Sequence, residues 1–192
     1  MSASDALLDL RNVTLRRGGR LLFEKFDLAL RPGEAALVTG PNGAGKSSLI
    51  RLAAGLLQPT GGSIDRGGPI ALADDALALD QRQTLAAALG FWAALDNGNA
   101  ARGMAVMGLD PLAAVPVFML SSGQRKRATL ARVIAGGAPL WLLDEPGNAL
   151  DGDGQALLAA AMADHLTTGG AILAASHQPL GLEAAVSVEL GL

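Results

Sequence analysis

The sequence predicts an α/β protein: a core of buried strands alternating with helices, an antiparallel β layer ahead of it, and an α-helical subdomain inserted in it. Three observations carry this. The stretch Gly40-Pro41-Asn42-Gly43-Ala44-Gly45-Lys46-Ser47-Ser48 fits G-x-x-x-x-G-K-S, a phosphate-binding loop pattern. Two further apolar runs, Leu140–Asp144 and Ala171–Ser176, bracket a helical stretch at Gln155–His165. Between residues 75 and 135 the strand patterns give way to helical ones.

Taken in order, Leu8, Leu10, Val13 and Leu15 supply the apolar positions of a first strand, interrupted at Asn12. Arg16-Arg17-Gly18-Gly19-Arg20 reads as a turn, and Leu21-Leu22-Phe23 resumes the strand pattern. Phe26, Leu28 and Leu30 alternate as in a half-buried strand. Arg31-Pro32-Gly33-Glu34 turns the chain into the apolar run Ala35–Thr39. Ser48–Ala54 reads as the helix after the phosphate loop, ended by Gly55. A loop from Gly55 ends in a short strand at Ile64, and Ile70–Ala73 is another. In the insert, Thr84 caps a helix over Leu85–Leu95, which Asn97-Gly98-Asn99 breaks. A short helix follows around Ala101–Met107, stopped by Gly108, and Pro111 and Pro116 mark a loop. Ser121-Ser122-Gly123-Gln124 opens a helix running to about Ala135. Val186–Leu190 is a last strand. The whole of 1–192 is expected to form one domain, with 75–135 as the inserted subdomain.

Composition bounds the partners. The 192 residues are 50% hydrophobic but only 3% aromatic, and the net charge of −3 provides no global basic field for nucleic acid. There is no cysteine, so disulfides, thiol catalysis and Cys-ligated metals are excluded. Met1-Ser2-Ala3-Ser4-Asp5 lacks the basic flank of a secretory signal. No clean apolar segment of about 18 or more residues is present, so no transmembrane helix and no direct membrane insertion are expected.

The chemistry follows from residue type. Glycines let backbone N–H groups approach phosphate oxygens, and the new helix points its positive end at the same anion. Lys46 reaches the β- and γ-phosphates, and the Ser47 hydroxyl suits Mg²⁺. A phosphate-loop nucleoside triphosphatase core with ATP and Mg²⁺ is therefore expected. Leu140-Trp141-Leu142-Leu143-Asp144-Glu145-Pro146 puts two acids at the ligand end of a buried strand. Asp144 is placed to hold Mg²⁺ and Glu145 to polarise the attacking water. His177 ends the next core strand at the same edge, in reach of a γ-phosphate and that water. Leu120-Ser121-Ser122-Gly123-Gln124 sets a hydroxyl and backbone N–H groups at a helix N-terminus, which by itself reads as an ordinary Ser cap.

The order of these motifs, with Ala149-Leu150-Asp151 between the acid pair and His177, resembles the ATP-binding cassette (ABC) family over nearly the whole chain. The resemblance implies the ABC ATPase fold and two cassettes facing head to tail around two ATP molecules. Ser121, Ser122, Gly123 and Gln124 would then contact ATP held by the other copy, and Asn148-Ala149-Leu150-Asp151 would couple the two sites. Leu109, Val115-Pro116-Val117, Arg125-Lys126-Arg127, the run Pro139–Pro146 and His177-Gln178-Pro179-Leu180-Gly181-Leu182 look like the branch that serves cytochrome c biogenesis, the haem exporter ATPases. That branch implies a peripheral subunit on the cytoplasmic face of the bacterial inner membrane, bound to a membrane-spanning subunit, its ATP hydrolysis serving haem export or delivery.

Two departures stand out. The turn at Leu15-Arg16-Arg17-Gly18 lacks the aromatic that many cassettes stack on adenine; Arg17 either lies over the base as a planar cation or is a solvated turn residue. Ala73-Asp74-Asp75 stands where many cassettes carry Gln, and Asp74 either approaches Mg²⁺ or is a surface acid. The run Arg125–Arg127 reads as a solvated helix face rather than a nucleic-acid patch. Competing functions are the ATPase of another transporter, a soluble cassette assembly factor, and a binder that does not hydrolyse; intact Lys46, Asp144, Glu145 and His177 speak against the last.

Overall fold

The computed structural model describes residues 5–182 and 185–191. The reading of the first five residues falls on Met1–Ser4 and so lies mostly outside them. Strands β1 (Leu8–Arg17) and β2 (Arg20–Leu30) form a long antiparallel hairpin whose tip is Gly18-Gly19, both at positive φ. Strand β3 (Ala35–Thr39) then enters the phosphate loop, and α1 (Lys46–Ala53) leaves it. The layer expected ahead of the core is completed only after α1: β4 (Gly61–Arg66) returns to pair antiparallel with β1, Leu10 opposite Ile64, giving the order β2-β1-β4.

The second sheet is parallel, in the order β5-β6-β7-β3-β8, with β5 (Ile70–Ala73), β6 (Leu140–Asp144), β7 (Ala171–Ala175) and β8 (Val186–Glu189). Every residue of β6 and β7 is buried, as expected of strands covered on both faces. Alternation along β6 divides the interior. Leu140 and Leu142 join a core with Leu8, Leu10, Leu49 and Ile50, while Trp141 and Leu143 join one with Leu85, Leu89, Ile134 and Leu158. The second core is where the insert docks.

Between β5 and β6 the insert contains α2 (Leu85–Leu95), α3 (Ala100–Val106) and α4 (Ser122–Gly136). Thr84 caps α2 by accepting from the Ala87 amide, and Asn99 caps α3 by accepting from Arg102. The last helix, α5 (Gly152–Thr167), starts earlier than its apolar pattern indicates, because the Asp151 side chain accepts from the Gly154 amide at 2.9 Å and so makes a glycine-rich first turn helical. Likewise α1 begins at Lys46, two residues before the expected start.

Candidate functional site

The loop after β3 is shaped by its glycines at two places. Gly40 has φ 131° and a side chain there would collide with the Leu190 carbonyl beside it. Gly45, φ 109°, is the left-handed residue that starts α1 without any side-chain cap, so the first amides of that helix are left for an anion. Lys46 is 8% exposed, and its Nζ donates to the carbonyls of Gly40 (2.8 Å) and Pro41 (3.3 Å). The lysine thus clasps its own loop.

A cleft of about 500 Å³ opens over this loop. Asn42, Gly43, Gly45, Lys46, Ser47 and Ser48 form one side, and Glu145, Asn148 and His177 the other. Gly40, Pro41 and Ala44 frame the loop from behind: Pro41 accepts from the Ala44 amide, and Ala44 is buried. Arg17 and Leu22, from the β1–β2 hairpin, line the outer end. The structure therefore brings together the phosphate loop, Ser47, Glu145 and His177, and it sets Arg17 at the same cleft.

Ser47 Oγ donates to Asp144 Oδ1 at 3.1 Å. Burial pushes the Asp144 carboxyl above its usual range, the charges of Asp75 and Glu145 add to this, and the Ser47 hydrogen bond opposes it. A bound divalent cation would relieve that cost. A hydroxyl and a carboxylate side by side at the mouth of a phosphate loop fit Mg²⁺, which takes few protein oxygens and completes its shell with phosphate and water. Among the described residues no group of three His, Cys, Asp or Glu side chains is placed to hold a metal ion, here or elsewhere.

Glu145 follows with φ 47°, a left-handed conformation uncommon outside glycine. Its amide donates to the Ala175 carbonyl and its carbonyl accepts from the Asn148 amide, which hold the strained turn. The side chain is 18% exposed, and Oε2 lies 2.9 Å from His177 Nδ1. This oxygen is buried, and the His177 ring nitrogen is its charged neighbour when the imidazole is protonated. Glu145 as a residue lines the phosphate cleft beside His177. His177 is held at the rim by Ser176, whose hydroxyl accepts from the Gln178 amide and donates to the Gln178 carbonyl.

Ser121, Ser122, Gly123 and Gln124 do not line this cleft. Ser121 caps α4: its Oγ accepts from the Gln124 amide, while Gln124 Oε1 accepts from the Ser121 amide. The Ser121 hydroxyl proton and the amides of Ser122 and Gly123 stay available. Ser122 faces a second cleft with Asp74, Asp75, Lys126, Asn148 and Ala149. Asp74 lies there and not at the phosphate loop, its carboxylate accepting from the Ala76 amide.

The basic run corrects its sequence reading. Lys126 is 9% exposed, Arg127 is half-buried with Nη1 on the Met107 carbonyl, and only Arg125 is exposed. The helix turns the middle cation inward, so the run is not a solvated face. Leu22, Ser176 and Lys126 were not singled out from sequence. A leucine after a turn and a serine ending a strand carry no motif signal, and Lys126 was hidden by its neighbours.

Against known proteins, the profile of the ABC transporter family matches residues 23–148. A relative from Sphingopyxis alaskensis, the cytochrome c biogenesis ATP-binding export protein CcmA, is 56% identical over 179 residues, covering 92% of each chain. The protein of that name from Zymomonas mobilis is 50% identical, over 93% of this chain and 81% of its own. Among solved structures, an ATP-binding subunit of an ABC transporter superposes with a TM-score of 0.84 at 22% identity, over 96% of this chain and 85% of that one. That likeness speaks to the fold.

Proposed function

We propose that this chain, which belongs to the ABC transporter family and within it to the cytochrome c biogenesis ATP-binding export proteins, is the ATP-hydrolysing subunit of a bacterial inner-membrane complex that handles haem during cytochrome c maturation. The observation that carries the hydrolytic reading is that Glu145, with Oε2 2.9 Å from His177 Nδ1, lines the same cleft as Lys46, Ser47 and His177. Lys46 leaves the carbonyls of Gly40 and Pro41 for the β- and γ-phosphates. Ser47 and Asp144 would hold Mg²⁺, which would neutralise charge on the phosphate oxygens. Glu145 accepts a hydrogen bond from the attacking water and orients it in line with the γ-phosphorus, and His177 donates to a γ-phosphate oxygen. Ser121, Ser122, Gly123 and Gln124 of a second copy close the site from the other side, at a helix N-terminus with free donors.

Among the described residues no helix is long and apolar enough to cross a membrane. We assign attachment to the cytoplasmic face of the inner membrane to a membrane-spanning subunit, docked on the helical insert near Asp74. Exposed Phe91, Phe118 and Met119 on that insert support this choice.

Glu145→Gln tests the mechanism. It keeps the size and removes the charge that would repel a γ-phosphate. The variant should bind ATP, fail to turn it over, and accumulate as an ATP-held dimer in light scattering. Adding Ser121→Arg should abolish that dimer and leave monomer binding intact. Normal hydrolysis by Glu145→Gln would remove Glu145 from the mechanism.

A further inference from the structure

Lys126 lies in the second turn of α4, buried, and three local considerations argue against a lysine there. Desolvating an ammonium is costly. The start of a helix is already its positive end. The hydrogen bond that Nζ donates is long, 3.5 Å to the Asp144 carbonyl. A residue that breaks local rules is explained by its surroundings. Four carboxylates pull on this ammonium: Asp75, Asp144, Asp74 and Glu145, in falling order. Burial lowers the lysine's pKa, and these acids oppose that. Two of them end β5 and two end β6, so one cation from the insert faces the acids at the ends of two core strands.

The contact also has a direction. The carbonyl that Nζ meets is that of Asp144, the peptide unit leading into Glu145. The same residue's φ of 47° depends on how this peptide plane is set. Lys126 further lines the second cleft, with Ser122, and Asn148 lines both that cleft and the phosphate cleft. Lys126 thus links the N-terminal part of α4 to the backbone that carries the acid pair.

We propose that Lys126 is a positioning residue for ATP hydrolysis: its ammonium ties the helical insert to the ends of β5 and β6 and fixes the peptide from which Glu145 projects. The proposal rests on the ATPase reading above. Lys126 touches neither nucleotide nor water in this scheme. It balances the acids around Asp144 and transmits the position of Ser121–Gln124 to them.

Lys126→Met keeps length and packing and removes the charge. The full chain, assembled with its membrane-spanning subunit, is assayed for ATPase rate, for affinity to a fluorescent ATP analogue, and for hydrogen–deuterium exchange in 74–80 and 144–150. The variant should lose about tenfold or more in kcat, with analogue affinity within about threefold and faster exchange in both segments. Lys126→Arg should restore much of the rate. Adding Asp75→Asn to Lys126→Met should also recover rate, because the acid the lysine balanced is gone; a purely structural lysine would not show that rescue. A wild-type kcat in Lys126→Met, a loss of rate matched by a loss of affinity, or a double variant no faster than the single one overturns the proposal. Should Lys126→Met not fold, Asp75→Asn alone decides: slower turnover with faster exchange at 144–150 supports it, and no change in either overturns it. A wild-type complex without ATPase activity would instead count against the ATPase reading, so the two failures separate.

Discussion

Lys46→Met puts a number on the phosphate loop. The lysine makes two hydrogen bonds to its own loop, at 2.8 Å to Gly40 and 3.3 Å to Pro41. A triphosphate must break both and replace them with bonds to anionic oxygens. Hydrogen bonds to one charged group contribute about 1.5–3 kcal/mol. Those charged at both ends lie at the upper side of that range. With about 1.5 kcal/mol for each carbonyl contact and about 3 for each phosphate contact, exchanging two for two yields a net of about 3 kcal/mol. That is roughly a hundredfold in affinity, at about 1.4 kcal/mol per decade. Methionine retains the chain length, so the variant leaves no uncompensated charge and little void. Loss of the clasp costs the free protein at most about 3 kcal/mol, and Tm should fall by about 2–4 °C per kcal/mol for a chain of this size. Titration with a fluorescent ATP analogue and a thermal scan measure both. A folded Lys46→Met that binds within about threefold of wild type would refute the exchange argument and the loop's assignment with it.

Two further outcomes are expected. His165 stacks on Trp141 with ring centroids 3.9 Å apart, and burial lowers its pKa below the ordinary 6.5. The unfolded chain then takes up this proton first, so the folded state keeps this stability above pH 6.5 and loses it as pH falls; His165→Phe keeps a stacked ring without the proton, and its urea-melt stability should gain on wild type as pH is lowered from 6.5, whereas a pH-independent difference would refute this. At the outer end of the cleft stand Arg17 and Leu22 but no aromatic ring; base stacking of about 1–3 kcal/mol is then absent, and ATP should outcompete GTP by less than about tenfold in displacement assays, a preference of a hundredfold or more showing that another group reads the base.

The periodic elements were legible because their signals are local. β3, β5, β6 and α2 have the bounds that their apolar runs and caps indicate. The phosphate loop, the acid pair and His177 announced themselves by motif, and parallel pairing of β6 with β7 and of β7 with β3 brings them to one edge. Non-local pairing was not legible. Nothing in Gly61–Arg66 says that it crosses back to β1, since its register is set by β1 residues far away in sequence. Nor does Arg125-Lys126-Arg127 say which of three cations turns inward; that depends on the angle at which α4 meets the end of β6. The first turn of α5 lies ahead of the Gln155 start expected from sequence, because glycines have low helix propensity and the Asp151 cap outweighs it at Gly152 and Gly154.

The two clefts support the proposal that a lone chain is an incomplete engine. The phosphate cleft gathers Lys46, Glu145 and His177, and none of Ser121–Gln124 lines it. The α4 N-terminus carries the complementary donors, and within the same chain it faces the other cleft. Its capping box has already satisfied the Gln124 amide and the Ser121 amide, so the donors left are a hydroxyl proton and two backbone N–H groups. Such an array attracts an anion only when one is brought to it. On the proposed reading that anion is an ATP held by a second copy, and its γ-phosphate is the part that hydrolysis removes. In that scheme binding would join two surfaces, turnover would release them, and each α4 would report the change to its own β6 end through Lys126.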